Sequence, residues 1–117
     1  MSSDLKATKK IRISYFLSEA ILMDVKGDMA MRGYDLKGKS KWISEAVIQL
    51  LSFDNYHDLV MINNQMEGFE KLDSISVDRS FKLNLDDAVI EVRRLFPSIE
   101  GVQSKILRTA ILQRLLR

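Results

Sequence analysis

Apolar and polar positions alternate near the start of the chain, in residues 9–16 (KKIRISYF). The polar side of this alternation consists of Lys10, Arg12 and Ser14. A period of two predicts a half-buried β-strand. A strand alone leaves backbone N–H and C=O groups without partners, so the pattern requires a second strand that pairs with it.

Helical periodicity follows this strand. Apolar residues at helical spacing predict a first helix from about Ser18 to Arg32, with Ser18 as its cap. Residues 33–39 contain two glycines and break the helix. Ser40 then caps a second helix in this prediction. Its broad apolar stripe consists of Trp42, Ile43, Ala46, Val47, Leu50 and Leu51.

The same order of patterns returns toward the end of the chain. In residues 80–86, Phe81, Leu83 and Leu85 alternate with polar residues, which predicts the second strand there. Asp86 and Asp87 are then placed at the start of a helix that Pro97 ends. A final helix, capped by Ser104, completes the prediction.

Two segments of the chain are similar to each other. Residues 40–51 (SKWISEAVIQLL) match residues 104–115 (SKILRTAILQRL) at an offset of 64, with five identical positions. The predicted strands match at an offset of 70, and a shorter first helix in the second copy absorbs the difference. Each copy is then a strand, a helix, a glycine-containing turn and a Ser-capped helix. Two copies can pair their strands antiparallel over one helical core.

This succession of elements resembles the ribbon-helix-helix DNA-binding proteins, the class that includes the Arc and Met repressors. The chain is most similar to the tandem form found among conjugative relaxosome accessory proteins, in which one chain holds both copies. The resemblance covers about 10–52 and 79–116. One departure is that the family often has proline where the strand meets the first helix, whereas Phe16 and Asp86 stand there in this chain.

The resemblance implies a mainly α fold with a short two-stranded antiparallel ribbon, formed by an intramolecular pseudo-dimer. Residues 1–117 are then one domain. The first copy spans 9–52, an acidic linker spans 53–79, and the second copy spans 80–117. Within the linker, the apolar pattern predicts a helix across 56–70, followed by LDSISVD (residues 72–78) as a loop leading into the strand. Exchange of copies between two chains remains an open alternative.

Outward strand residues would contact DNA bases in the major groove, which admits a two-stranded ribbon. The base-contacting candidates are Lys10, Arg12, Ser14, Ser80, Lys82 and Asn84. A helix N-terminus favours phosphate, so the starts of the two similar helices are the candidates for backbone contact. These phosphate-contacting candidates are Lys39, Ser40, Lys41, Gln103, Ser104 and Lys105. The competing interpretation is an ordinary solvated sheet face with two capped helices.

The charge distribution fits either chance scatter over a solvated surface or two basic segments that share one polyanionic partner. The net charge is only +2, but residues 1–52 hold nine Lys/Arg against six Asp/Glu and residues 80–117 hold seven against four. Residues 53–79 hold two against six and are acidic. The basic segments would share one DNA partner while the acidic segment faces away or binds another protein.

The remaining residues favour binding over catalysis. Cysteine is absent and His57 is the single histidine, so we expect neither a metal site nor a cofactor. No nucleophile or phosphate-loop motif indicates an enzyme. No apolar run is long enough for a membrane span, which favours a cytoplasmic protein without a membrane partner.

The expected function is sequence-specific binding of double-stranded DNA, as a transcriptional repressor or a relaxosome-type accessory protein encoded on a plasmid. A second copy could bind an adjacent site, or another protein could bind residues 53–79. The alternative is a small helical protein–protein interaction module of the antitoxin or adaptor kind.

Overall fold

The structure is a computed structural model that describes residues 10–63 and 71–117. The elements in these ranges are, in chain order, β1 (Ile11–Leu17), α1 (Glu19–Met31), α2 (Lys39–Leu51), α3 (Tyr56–Asn63), β2 (Lys71–Val77), α4 (Arg79–Leu95) and α5 (Val102–Leu115). The fold is therefore mainly helical with one two-stranded antiparallel sheet, as predicted. None of the helices in these ranges has the length and apolar content needed to cross a bilayer.

The ribbon, formed by β1 and β2, has one buried and one exposed face. Ser14 lies opposite Ser74, and Tyr15 lies opposite Asp73. Because side chains alternate along a strand, Ile13, Tyr15 and Leu17 all point inward, and each is at most 2% exposed. The strand predicted from the alternation in residues 9–16 is confirmed, with bounds Ile11–Leu17.

The prediction of a second strand at residues 80–86 is wrong, because these residues are part of α4. Asp78 caps this helix by accepting a hydrogen bond from the backbone N–H of Phe81 at 2.8 Å. The buried residues Phe81, Leu85, Ala88 and Val92 recur every three or four positions, which is the helical period. Leu83, whose position between Phe81 and Leu85 gives the strand-like alternation, is 53% exposed.

The strand that pairs with β1 lies earlier, at Lys71–Val77, within the segment predicted to be a linker. The second succession of strand, helix and helix therefore begins at Lys71 rather than at residue 80. Asp86 and Asp87 lie in the middle of α4 and do not begin it. The first helix of this succession has 17 residues against 13 in α1, so the predicted shortening is also wrong.

Helix boundaries elsewhere are close to those predicted, although two of the caps differ. Ser18 caps α1 through the N–H of Ile21, and α4 ends before Pro97. The N-cap residues of α2 and α5 are Gly38 and Gly101 rather than the serines that follow them. The helix predicted across 56–70 is present at Tyr56–Asn63, and its remaining positions lie outside the described residues.

The core lies beneath the ribbon and is built around the packing of α2 against α5. Helix α2 also packs against β2, and α5 packs against β1. The elements from the two halves of the chain are therefore interleaved in one core. Its fully buried members include Trp42, Leu50, Leu85, Ile106, Leu107 and Ile111.

Candidate nucleic-acid interface

Three cross-strand pairs form the outer face of the ribbon, since residues two apart in a strand share a face. These pairs are Arg12 with Ser76, Ser14 with Ser74, and Phe16 with Leu72. Lys10 precedes β1 and is exposed at the same end as Arg12. Of the base-contacting candidates, the structure therefore places Lys10, Arg12 and Ser14 at the ribbon.

The Arg12 end of the ribbon is polar. The Nε of Arg12 donates a hydrogen bond to the Ser74 hydroxyl at 3.0 Å. This bond uses one of five guanidinium donors, so the planar fork remains able to engage a ligand. Arginine and lysine suit the O6 and N7 acceptors of guanine, and serine suits several base edges.

The opposite end of the outer face is apolar. Phe16 is 46% exposed and Leu72 is 62% exposed, although Tyr15 and Leu17 beside Phe16 are buried. Sequence reasoning missed both residues as site candidates. The sequence pattern predicts Phe16 at the junction of strand and helix and Leu72 in a loop.

The starts of α2 and α5 lie against the two outer edges of the ribbon. The Ser40 hydroxyl accepts a hydrogen bond from the backbone N–H of Ser76 at 3.1 Å. The Ser104 hydroxyl accepts one from the N–H of Phe16 at 2.7 Å. Gln103 Nε2 donates to the carbonyl oxygen of Ser14 at 3.0 Å. These side chains satisfy strand-edge groups and hold a helix N-terminus beside each strand.

The positive ends of these two helices therefore flank the exposed face. Neither Gly38 nor Gly101 has a side chain to cap the first turn. Gly101 has a φ of 59°, in the left-handed region that favours glycine. A helix N-terminus with free N–H groups favours an anion such as phosphate. The predicted grouping of Ser40 and Ser104 at helix starts is thus present, with the ribbon between them.

The three lysines at these helix starts have different surroundings. Lys39 forms an ion pair with Asp73, with 2.8 Å between Nζ and Oδ1. Lys41 is exposed, and its Nζ lies 5.9 Å from the centre of the Tyr34 ring. Partial burial, together with the charge of Arg108, lowers the pKa of Lys105. Because Lys39 is already engaged by Asp73, Lys41 and Lys105 are the better candidates for a phosphate contact.

Asp73 has its carboxylate on the inward face of the ribbon, and its ion pair with Lys39 keeps that lysine against the ribbon. Burial opposes its ionisation, but hydrogen bonds from Lys39 and the Tyr15 hydroxyl outweigh that effect and lower the pKa of Asp73. Burial and the hydrogen bond to Asp73 raise the pKa of Tyr15 well above its ordinary value. This group of three side chains fastens the middle of the ribbon to α2.

The remaining base-contacting candidates lie on α4. Ser80 donates to the Asp78 carboxylate at 2.9 Å, and Lys82 forms an ion pair with Asp86 one turn further along. Ser80 and Asn84 line a groove of about 910 Å³ between α2, the end of β2 and the start of α4. The prediction that Ser80, Lys82 and Asn84 share the ribbon with Arg12 is wrong, because it depended on the misplaced strand.

Comparison of the chain with protein-family models, curated proteins and solved structures found no match. The functional interpretation therefore depends on the residues and geometry of this chain.

Proposed function

We propose that this protein binds double-stranded DNA sequence-specifically by placing its ribbon in the major groove. The observation that supports this most is the combination of an exposed ribbon face with a helix N-terminus at each edge. Strand side chains would contact the bases while the helix ends contact the phosphates on either side, fixing the register. Such a protein would act as a transcriptional repressor or a relaxosome-type accessory factor by occupying or bending its site.

We also propose that the chain is a tandem ribbon-helix-helix protein whose two copies pair with each other. Two equivalent hydrogen bonds support this arrangement. The Ser40 hydroxyl accepts one from the N–H of Ser76, and the Ser104 hydroxyl accepts one from the N–H of Phe16. Ser18 and Asp78, 60 positions apart, cap equivalent helices. The offset rises to 64 at the second helices because α4 has four more residues than α1.

This arrangement predicts an asymmetric DNA site. An approximate two-fold axis between Ser14 and Ser74 makes Arg12 equivalent to Leu72, and Phe16 equivalent to Ser76. The two halves of the ribbon therefore present different side chains to DNA. A homodimer of identical strands would instead favour a palindrome.

In vitro selection on random duplex DNA at near-physiological salt tests the proposal directly. We expect the purified full chain to enrich a short, non-palindromic motif. Arg12→Ala should then weaken binding to that motif by about 1–3 kcal/mol and relax one position. Lys82→Ala is the matched control, because Lys82 is paired with Asp86 on α4 and should leave the affinity nearly unchanged.

A negative result has an equally definite meaning. Failure to enrich any motif, with weak binding that disappears as salt rises, would show only generic charge attraction. The ribbon would then be a scaffold, and the interaction-module function would replace DNA recognition.

A further inference from the structure

The apolar end of the outer ribbon face needs an explanation of its own. Phe16 and Leu72 lie directly opposite each other and are 46% and 62% exposed. The solvated face of an antiparallel sheet is ordinarily polar. Phe16 points outward because side chains alternate along the strand, and its neighbours Tyr15 and Leu17 take the inward positions, where each is 1% exposed.

The local backbone makes these two side chains one continuous surface. The Ser14 carbonyl and the Phe16 N–H point away from β2 toward α5, where Gln103 and Ser104 bind them. Phe16 and Leu72 are therefore a closely spaced pair without mutual backbone hydrogen bonds, with Cβ atoms about 4.5–5.5 Å apart. Lys71, next to Leu72 in the chain, forms an ion pair with Glu19 at 3.5 Å, and the two opposite charges add no net charge to this end.

We propose that Phe16 and Leu72 contact thymine methyl groups and so specify thymines in one half of the DNA site. This inference rests on the proposed DNA-binding function and deepens it. The C5-methyl of thymine is the apolar group among the base edges of the major groove, and apolar side chains recognise it. The Arg12 end would specify guanine in the other half, giving the site a guanine end and a thymine end.

The groups that surround Phe16 and Leu72 favour DNA over other partners. The same face continues through Ser14 and Ser74 to Arg12, and the N-terminus of α5 borders Phe16 through Ser104. An apolar pair on this face is thus accompanied by groups that suit base edges and phosphate. A second copy of the chain, covering the pair as a dimer contact, is the alternative occupant that the test must separate.

The geometry also predicts the spacing of the two specified positions. Arg12 and Phe16 are four residues apart on one strand, which corresponds to about 13–14 Å. This distance matches about four base-pair steps at 3.4 Å each. The guanine and thymine positions of the selected motif should therefore be separated by roughly three to four base pairs.

The decisive experiment removes the methyl group without changing any hydrogen bond. Each thymine of the selected motif is replaced in turn by deoxyuridine, and affinity is measured with the full chain at constant salt. We expect about a fourfold loss per contacted methyl at the thymine end, and no loss at other thymines. In the double variant Phe16→Ser with Leu72→Ser, thymine and deoxyuridine should bind equally well.

Leu83→Ser provides the matched control, because Leu83 is a similarly exposed apolar residue on α4. It should keep the full response to deoxyuridine. The fluorescence of Trp42, which is fully buried and is the single tryptophan of the chain, verifies that each variant is folded.

The possible outcomes distinguish failure of the methyl contact from failure of the proposed DNA-binding function. A selected motif whose thymines all tolerate deoxyuridine would overturn the methyl contact and leave sequence-specific binding intact. Sedimentation showing a dimer that the Phe16→Ser, Leu72→Ser variant abolishes, with DNA affinity unchanged, would assign the pair to self-association. Absence of any selected motif would reject both the function and this inference.

Discussion

Arg114 of α5 donates a hydrogen bond from Nη1 to the carbonyl oxygen of Trp42 at 2.7 Å, and its guanidinium lies 4.7 Å from the centre of the Trp42 ring. The same guanidinium donates to the Tyr34 hydroxyl at 2.9 Å and to the Glu45 carboxylate at 3.3 Å. Arg114 is 6% exposed. One side chain from the last helix thereby fixes the start of α2, which borders the ribbon.

Replacing Arg114 by alanine should destabilise the fold markedly. Arg114→Ala removes charge-assisted hydrogen bonds and a cation–π contact, and it leaves the Trp42 carbonyl without this donor. We expect the free energy of unfolding to fall by about 2–4 kcal/mol. Urea titration followed by Trp42 fluorescence measures this change.

The matched control is Arg117→Ala. Arg117 is exposed and contacts Gln49 and the Phe53 ring at the surface, so its loss should change stability by at most about 0.5 kcal/mol. Arg114→Lys should recover only part of the loss, because an ammonium cannot reproduce the planar fork. Equal effects of Arg114→Ala and Arg117→Ala would contradict a special role for the buried guanidinium.

Sequence patterns predicted most elements but not this buried arginine. Arg114 corresponds to Leu50 in the similar helix, and a charged residue at such a position normally indicates an exposed face. Its burial depends on Tyr34 and Trp42, which come together only in the folded chain. Local periodicity contains no information about such a tertiary arrangement.

The misplaced strand has a more local cause. Phe81, Leu83 and Leu85 alternate, but the longer spacing through Ala88 and Val92 is helical, and a short window favoured the wrong period. Two signals for the true strand were present. Ile75 and Val77 are β-branched and alternate with serines, and Asp78 is a typical N-cap residue directly after them.

This error also explains how much of the site could be predicted. Arg12, Ser14 and the helix starts at Ser40 and Ser104 were identifiable, because the first strand and the similar helices have clear periodicity. The partner residues of the ribbon were not identifiable, since they depend on which strand pairs with β1 and in which register. A change of strand replaces every side chain on that half of the face.

Acid should weaken the fold partly through Asp73. Its pKa is lowered in the folded protein, so its contribution is fully present above the ordinary value of 3.8 and is lost as the pH falls through the lowered value. We expect Asp73→Asn to reduce stability by about 1–2 kcal/mol at pH 7. Between pH 4 and pH 2, the difference between wild type and variant should shrink.

Urea titrations of both proteins at pH 7, 4 and 2.5 measure this difference. The comparison isolates Asp73, since Glu45, Asp78 and Glu91 also have lowered pKa values and remain in both proteins. A difference that stays constant across these pH values would assign the loss to packing rather than to the Lys39 ion pair.

Lysines at the two helix starts should control the salt dependence of DNA binding. Lys41→Ala and Lys105→Ala should each weaken binding to all sequences by a similar factor, because a phosphate contact is independent of base identity. Each substitution should reduce the slope of log K against log salt by about 1. Lys26→Ala, an exposed lysine within α1, is the charge-matched control and should leave the slope unchanged. A loss of sequence preference in place of a smaller slope would instead assign a lysine to base contact.

The register of the ribbon can be tested by a single engineered bond. Ser14 and Ser74 face each other at the middle of the ribbon, in a closely spaced pair whose Cα atoms are about 4.5 Å apart. This spacing suits a disulfide. Because the chain contains no cysteine, the double variant Ser14→Cys with Ser74→Cys has one possible intramolecular pairing. We expect it to oxidise readily and to migrate as a monomer on non-reducing gels.

A control and two outcomes complete this experiment. The control variant Ser14→Cys with Lys82→Cys places the second thiol on α4, away from the ribbon, and should stay reduced under the same oxidant. Covalent dimers in the Ser14, Ser74 variant at micromolar concentration would show that two chains exchange strands, so that each ribbon contains β1 of one chain and β2 of another. Fast intramolecular closure would instead establish that one chain builds the whole ribbon. If this ribbon occupies the major groove, the oxidised protein should bind the selected motif with a lowered affinity, because the disulfide lies at the centre of the contacting face.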